Sequence, residues 1–241
     1  MNLTNIRIRN VGALILSALL LAVATAEAFG RFERTYTPQG KAHLTISNTN
    51  GNVIVTAWQK KTISVRAVTA ANTEVVDEKR GEDIQITTKK SVPLGRADFE
   101  VFLPADTSLS VNNVIGKIEV NGLSGHLSIK SFNSDVHIRQ ARCDAINVMV
   151  TSGNIVFDGI LQTEGDYSFQ SLKGDIDMSL PDSASFNLTA RALHSQINLG
   201  EFINSFSNLN RGSKQISGTH KQGGAKLTLT TYAGRILLHK K

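Results

Sequence analysis

Ser134-Asp135-Val136-His137-Ile138, Gly153-Asn154-Ile155-Val156-Phe157 and Gly174-Asp175-Ile176-Asp177-Met178 repeat one short phrase. Each begins with a turn residue and a polar residue, then places apolar side chains at alternate positions. Alternation with a period of two is the pattern of a half-buried β-strand. Further copies are Gly116-Lys117-Ile118-Glu119-Val120, Ser195-Gln196-Ile197-Asn198-Leu199 and Gly234-Arg235-Ile236-Leu237-Leu238. Gly125-His126-Leu127-Ser128-Ile129 is another copy, and Gly51-Asn52-Val53-Ile54-Val55 is one whose middle slot is apolar. The turn positions 116, 134, 153, 174 and 195 lie 18, 19, 21 and 21 residues apart, and 234 follows 39 later. Halfway between them lie secondary strands at Leu127–Ile129, Ile146–Val148, Tyr167–Phe169 and Phe186–Thr189. A period near 20 with two strands in each period predicts a β-solenoid.

A coil of that length carries too few apolar side chains to fold alone. Stacking places Ile118, Val136, Ile155, Ile176 and Ile197 in one column and Val120, Ile138, Phe157, Met178 and Leu199 in the next. Burying each such side chain is worth roughly 1.5–3 kcal/mol. Gly supplies the bend before the strand, because it reaches positive φ without steric cost. Ser134 and Ser195 stand in its place twice, so not every turn has to be left-handed.

The chain therefore reads as all-β, a β-solenoid of about 20 residues per coil with an irregular N-terminal β cap over 29–104. Regular coils are expected over 105–201, a long surface loop over 202–224 and closing strands over 225–241, all in one domain. Leu44–Trp58 and Ile63–Val68 look like longer strands, and Asp83–Thr88 with Ala97–Leu103 suits a hairpin around Pro93-Leu94-Gly95. Asn72–Arg80 has only Val75 and Val76 as apolar residues and reads as a loop or single turn. Asn204–Gly224, rich in Asn, Ser, Gly and Lys, reads as a loop that skips one copy of the repeat. Trp58, beside Lys60-Lys61, is either a cap residue covering apolar surface or a contact on which a sugar could stack.

The N-terminus has the layout of a secretory signal peptide: Arg7 and Arg9, the apolar run Val11–Ala24, and small residues at Ala26 and Ala28. The fourteen-residue run would reach only about 21 Å as a helix, short of a hydrocarbon core of roughly 30 Å. Residues 1–28 are thus expected to be removed, with cleavage after Ala28 or Ala26, leaving no integral membrane span. Without Arg7, Arg9 and Glu27, the 26 basic and 20 acidic residues fall to a net charge of about +5. The basic doublets are scattered and have no interleaved aromatics, which speaks against nucleic acid. The lone Cys143 closes no intrachain disulfide and reads as a buried structural thiol.

No catalytic, cofactor or metal constellation stands out. The six histidines form no zinc-type spacing. Asp135, Asp158, Asp175 and Asp177 are read as solvated turn carboxylates, outside any Gly-Gly-x-Gly-x-Asp calcium repeat. Ser124 in Gly122-Leu123-Ser124-Gly125 lacks the elbow spacing of a hydrolase nucleophile. The outward slots Glu119, His137, Val156, Asp177 and Asn198 mix sign and polarity, unlike the paired carboxylates of a glycosidase stripe.

Several segments in order carry a family resemblance: Asn50-Gly51-Asn52-Val53-Ile54-Val55 with Trp58; Ile63-Ser64-Val65-Arg66-Ala67; Val101-Phe102-Leu103-Pro104 with Ser108-Leu109-Ser110-Val111; the Gly-x-Ile-x-Val copies; and Gly223-Gly224-Ala225-Lys226-Leu227-Thr228-Leu229 into Gly234-Arg235-Ile236. Over roughly residues 40 to 241 the chain resembles the bacterial putative-adhesin domain family, exported β-solenoid domains of unknown molecular function. That family usually has Asp after the turn Gly; here Lys117, His126, Asn154 and Arg235 take the slot, against any continuous ladder of acidic ligands. The resemblance implies a periplasmic, cell-surface or extracellular domain that presents a repetitive β face. It implies an adhesin-like, non-enzymatic role with an unknown envelope protein or glycan as partner. An envelope regulatory module and a carbohydrate-active β-helix enzyme are the competing readings.

Overall fold

In the computed structural model, residues 30–70, 72–90 and 95–241 are described. The expected signal peptide and the Pro93-Leu94 part of the expected hairpin turn lie outside them; the hairpin itself does not form, because Asp83–Lys90 pairs with His43–Asn50 and Thr73–Arg80, and Ala97–Pro104 with Val53–Trp58 and Ile63–Thr69. In chain order the strands are β1 (Gly30–Tyr36), β2 (His43–Asn50), β3 (Val53–Trp58), β4 (Ile63–Thr69), β5 (Thr73–Arg80), β6 (Asp83–Lys90) and β7 (Ala97–Pro104). Then come β8 (Ser108–Asn121), β9 (Leu127–Ala141), β10 (Ala145–Ser152), β11 (Ile155–Gly159), β12 (Asp166–Lys173), β13 (Ile176–Leu180), β14 (Phe186–Ala192) and β15 (Ile197–Asn198). A 3₁₀ turn over Gly200–Ser205 precedes β16 (Phe206–Arg211), β17 (Gln215–His220), β18 (Ala225–Ala233) and β19 (Ile236–Lys240).

Each coil contributes one strand to a front sheet and one to a back sheet, and β8 and β9 bend through the corner to serve both. The parallel front order is β6-β2-β8-β9-β10-β12-β18-β14. The back order is β7-β3-β8-β9-β11-β13-β19-β15. Val136 pairs in register with Ile118 and Ile155, and Ile155 with Ile176. All four are fully buried. The aliphatic columns expected from the repeat are the core of the molecule.

The stacking order departs from chain order at both ends. Ile176 is followed in its column by Ile236, and only then by Ile197. The last coil of the chain has slipped between its two predecessors. The first coil does the same: Val53 lies between Phe99 and Ile118. The N-terminal cap is accordingly narrower than 29–104. β2/β3 and β6/β7 are regular coils, while antiparallel β1, β4 and β5 close that end.

Two segments read as loops are strands. Thr73–Arg80 is β5, antiparallel to β6. Within Asn204–Gly224, β16 and β17 form an antiparallel hairpin that docks on β14. Both are edge elements, held by backbone hydrogen bonds to one neighbour, so they need few apolar side chains. Val75, Phe206, Leu209 and Ile216 are only half-buried against the core. Charged β5, bulged β16 and two-residue β15 make poor templates for further strands.

The corners explain the turn residues. Gly174 has φ +152°, and a Cβ there would lie 2.0 Å from the Gly153 carbonyl oxygen of the neighbouring coil. Ser134 is absent from the positive-φ residues, so a side chain is tolerated at that turn. Polar side chains three residues before the turn face inward and cap the same carbonyls: Ser171 Oγ donates to Gly153 O at 2.9 Å and Thr231 Oγ1 to Gly174 O at 3.0 Å.

Candidate functional site

Outward side chains of the front sheet fall into rows, because parallel strands in register align every second residue. The middle row reads Thr45, Ser110, Ser128, Asn147, Ser168, Thr228 across six successive coils. Every member is an uncharged hydrogen-bonding residue. Ser110, Ser128, Asn147 and Ser168 follow the 18–21-residue period of the chain, whereas Thr45 and Thr228 join the row only because the first and last coils slip inside their neighbours. Ser110, Ser128, Asn147, Ser168 and Thr228 line a groove of about 840 Å³ along the sheet.

One rim of the groove is a row of polar and ion-paired groups. His43 Nδ1 lies 3.5 Å from Asp83, His126 Nε2 3.1 Å from Asp144, and Lys226 Nζ 3.1 Å from Asp166. The other rim includes half-exposed Met149 at 46 %. The arrangement offers donors and acceptors over a length of several coils with little net charge at its floor. Such a surface suits a polar, uncharged, extended ligand.

His43 Nε2 is also 3.0 Å from Ser110 Oγ, so Ser110, His43 and Asp83 line up in the order of a nucleophile relay. The surroundings differ from those of an acyl-transfer site. His43 and Asp83 are 45 % and 70 % exposed at their side chains, so the pair is not desolvated. β8 is hydrogen-bonded on both sides, to β2 and β9, and its backbone amides are used by the ladder instead of forming an oxyanion hole. Among the described residues no three of His, Cys, Asp and Glu converge as a metal-binding set.

The turn carboxylates have a structural use that the sequence reading missed. At the position after each turn residue, Asp98 Oδ1 accepts the Asn52 N–H at 2.8 Å and Asn52 Oδ1 that of Lys117 at 3.0 Å. Asp135 accepts from Asn154 at 2.8 Å, Asn154 from Asp175 at 2.9 Å, and Asp175 from Arg235 at 2.7 Å. Each side chain with an acceptor caps the backbone of the next coil. No two carboxylates are adjacent in this ladder; Asn or a cation always intervenes. Hydrogen bonds from the Arg235 side chain and backbone hold the Asp175 carboxyl below its usual range.

Outward on the back sheet, Leu237 comes between Asp177 and Asn198. Lys117 and Arg139 bracket Glu119 at 2.5 and 3.6 Å, and His239 lies 3.2 Å from Asp177. The outward row, already interrupted by Val156, is thus broken by one further apolar residue. Ser124 lies exposed in the turn between β8 and β9, its N–H bonded to Ala105 O. Cys143 is buried; burial first, then Asp144, pushes its thiol up to about 12, which suppresses the reactive thiolate.

Trp58 ends β3 on the back sheet and does not line the front groove. Its ring stacks on Phe102 at 5.4 Å, Lys60 Nζ sits 4.8 Å from its centroid, and Nε1 donates to Thr62 O at 2.7 Å. A second site missed from the sequence is His220, the last residue of β17, fully buried among Phe186, Phe202 and Phe206. Its Nδ1 lies 2.7 Å from Ala184 O, while Nε2 has no hydrogen-bond partner among the described residues.

The family profile described as Toastrack DUF4097 matches the chain twice, over residues 42–164 and 106–239. Among solved structures, a putative cell adhesion protein from Clostridium sporogenes superposes with a TM-score of 0.55 at 12 % identity. That alignment covers 88 % of this chain and 100 % of the other. A putative adhesin from Bacteroides fragilis gives 0.46 at 14 % identity, covering 87 % and 97 %. At such identities the first likeness speaks to fold alone, and the second carries no argument. No protein of curated function is significantly similar in sequence.

Proposed function

Since the chain belongs to the Toastrack DUF4097 family, we propose that it is an exported, non-enzymatic, adhesin-like module of the cell envelope that holds an extended polar ligand along its front groove. The observation that carries this reading is the unbroken row of uncharged hydrogen-bonding side chains from Thr45 to Thr228. Layers spaced about 4.8 Å apart present one such group per layer, close to the length of one sugar ring. A neutral glycan strand of the envelope fits this chemistry better than a folded protein, because the floor lacks the large apolar anchors that dominate protein interfaces.

Export is supported by the signal-peptide pattern of residues 1–28, and an envelope location agrees with the cell-adhesion name of the Clostridium sporogenes neighbour. No helix among the described residues is long and apolar enough to cross a membrane. Trp58 enters the proposal as a contact on the back sheet, through the ring edge left between Phe102 and Lys60.

The test is binding of the chain from residue 29 onward to arrayed envelope glycans. Asn147→Arg, which fills the groove floor, is expected to abolish capture, whereas Trp58→Ala reports the contribution of the back sheet. Capture unaffected by Asn147→Arg would remove the groove from the reading. Reproducible release of glycan products would replace it with the enzyme alternative.

A further inference from the structure

A second feature runs parallel to the groove, along the corner where the front sheet turns into the back. Register places Val114, Phe132, Thr151, Leu172, Tyr232 and Leu193 in one line, one from each of six successive coils. These are outward positions, and most hold apolar side chains. Phe132 is 62 % exposed, Tyr232 47 %, Leu172 46 %, Val114 41 % and Leu193 37 %. A contiguous apolar line on a polar molecule marks an interaction surface.

The charges beside this line have one sign. In the row two residues before it lie Asn112, Lys130, Met149, Gln170, Thr230 and Arg191, and in the row just after it lie Asn133, Ser152, Lys173 and Ala233. The strip holds Lys130, Lys173 and Arg191 and no carboxylate. Among the described residues neither lysine has an ion-pair partner, and Arg191 donates to the neutral Gln215 side chain at 2.8 Å. The acids nearest the corner, Asp135 and Asp175, are engaged in the turn ladder.

We propose that this ridge seats the protein on the surface of a lipid bilayer carrying anionic headgroups, with the aromatic and aliphatic tips at the headgroup boundary and the three cations among the phosphates. A row with one tip per coil along a single corner lets the tips of neighbouring coils meet a surface together. Aromatic residues favour the interface, and long cationic side chains reach from an apolar stripe to charged headgroups. Two copies laid ridge to ridge would oppose cations with cations, so a second copy of this chain is the poorer occupant. The ridge shares the Met149 and Gln170 rim of the groove, but the inference uses none of the groove floor.

The experiment is sedimentation of the purified chain from residue 29 onward, the expected processed form, with vesicles of phosphatidylcholine alone or mixed with phosphatidylglycerol. Binding is expected only to the mixed vesicles and is expected to weaken with added salt. Phe132→Ser with Leu172→Ser and Tyr232→Ser should weaken it more than about tenfold. Lys130→Gln with Lys173→Gln, an exposed pair that leaves the core untouched, should weaken it about fivefold per cation removed. Light scattering on the same samples reports self-association. Failure of the wild-type chain to bind the mixed vesicles would overturn the inference. So would equal binding by the lysine variant, or a change in oligomeric state as the sole effect of the ridge variant.

Discussion

Asn154 sits between Asp135 and Asp175 in the turn ladder, accepting one backbone N–H and presenting its own to Asp135. Two substitutions separate the two physical effects at this point. Asn154→Ala removes the acceptor for Asp175 N–H. The site is exposed, so the loss belongs at the low end of a net hydrogen bond, about 0.5–1 kcal/mol, at any salt concentration. Asn154→Asp keeps the acceptor but lines up three carboxylates at layer spacing. Unit charges about 4.8 Å apart in a water-like dielectric repel by about 0.9 kcal/mol, before ionic screening. With two new neighbours, Asp135 and Asp175, the cost is about 1–2 kcal/mol at neutral pH and low salt, eased where Arg235 offsets Asp175. Urea unfolding at low and high salt, and at neutral and acidic pH, measures both. The Asp variant should regain its stability relative to wild type as salt rises or as the carboxylates take up protons, and the Ala variant should not. If the Asp variant is as stable as wild type at low salt, the alternation of Asp with Asn or a cation has no electrostatic cause.

Ile155→Ala empties a fully buried position and should cost about 2–5 kcal/mol, whereas outward Val156→Ala should cost under about 1 kcal/mol by the same unfolding assay. Deleting residues 225–241 removes an inner coil paired on both edges. It should abolish the cooperative unfolding transition, where a terminal-repeat deletion would merely shorten the stack. Burial, ahead of the nearby Lys221 and Lys240 charges, lowers the pKa of His220; its Nδ1 contact to Ala184 and the Asp182 carboxylate act the other way. The unfolded chain therefore binds a proton that the native chain refuses as pH falls below about 6.5, so stability drops with acidification through this group. His220→Phe should flatten the pH 5–7 part of the profile in thermal melts, and an unchanged slope would refute the assignment.

Much of the fold was legible because the repeat is a local pattern. The apolar alternation around Ile155 and the spacing of Gly153 and Gly174 announce strand, corner and layer without reference to anything distant. β5 and the β16–β17 hairpin were not legible. Their stability comes from hydrogen bonds to an existing edge, which leave no periodic apolar trace. The His220 pocket was hidden for a related reason: its aromatic walls, Phe186, Phe202 and Phe206, come from separate segments.

The candidate sites show the same division. Ser128 and Phe132 are unremarkable in the chain and belong to a groove and a ridge only through neighbours in other coils. By itself the sequence determined the layer: its length, its two strands, its inward aliphatics and its tight corner, all set by side-chain alternation and glycine sterics within about 20 residues. Only the tertiary structure decided the order of the layers, with the first and last coils each slipped inside a neighbour. Coils that present the same aliphatic columns can stack in more than one order, and the choice rests on contacts between residues as far apart as Ile176 and Ile236.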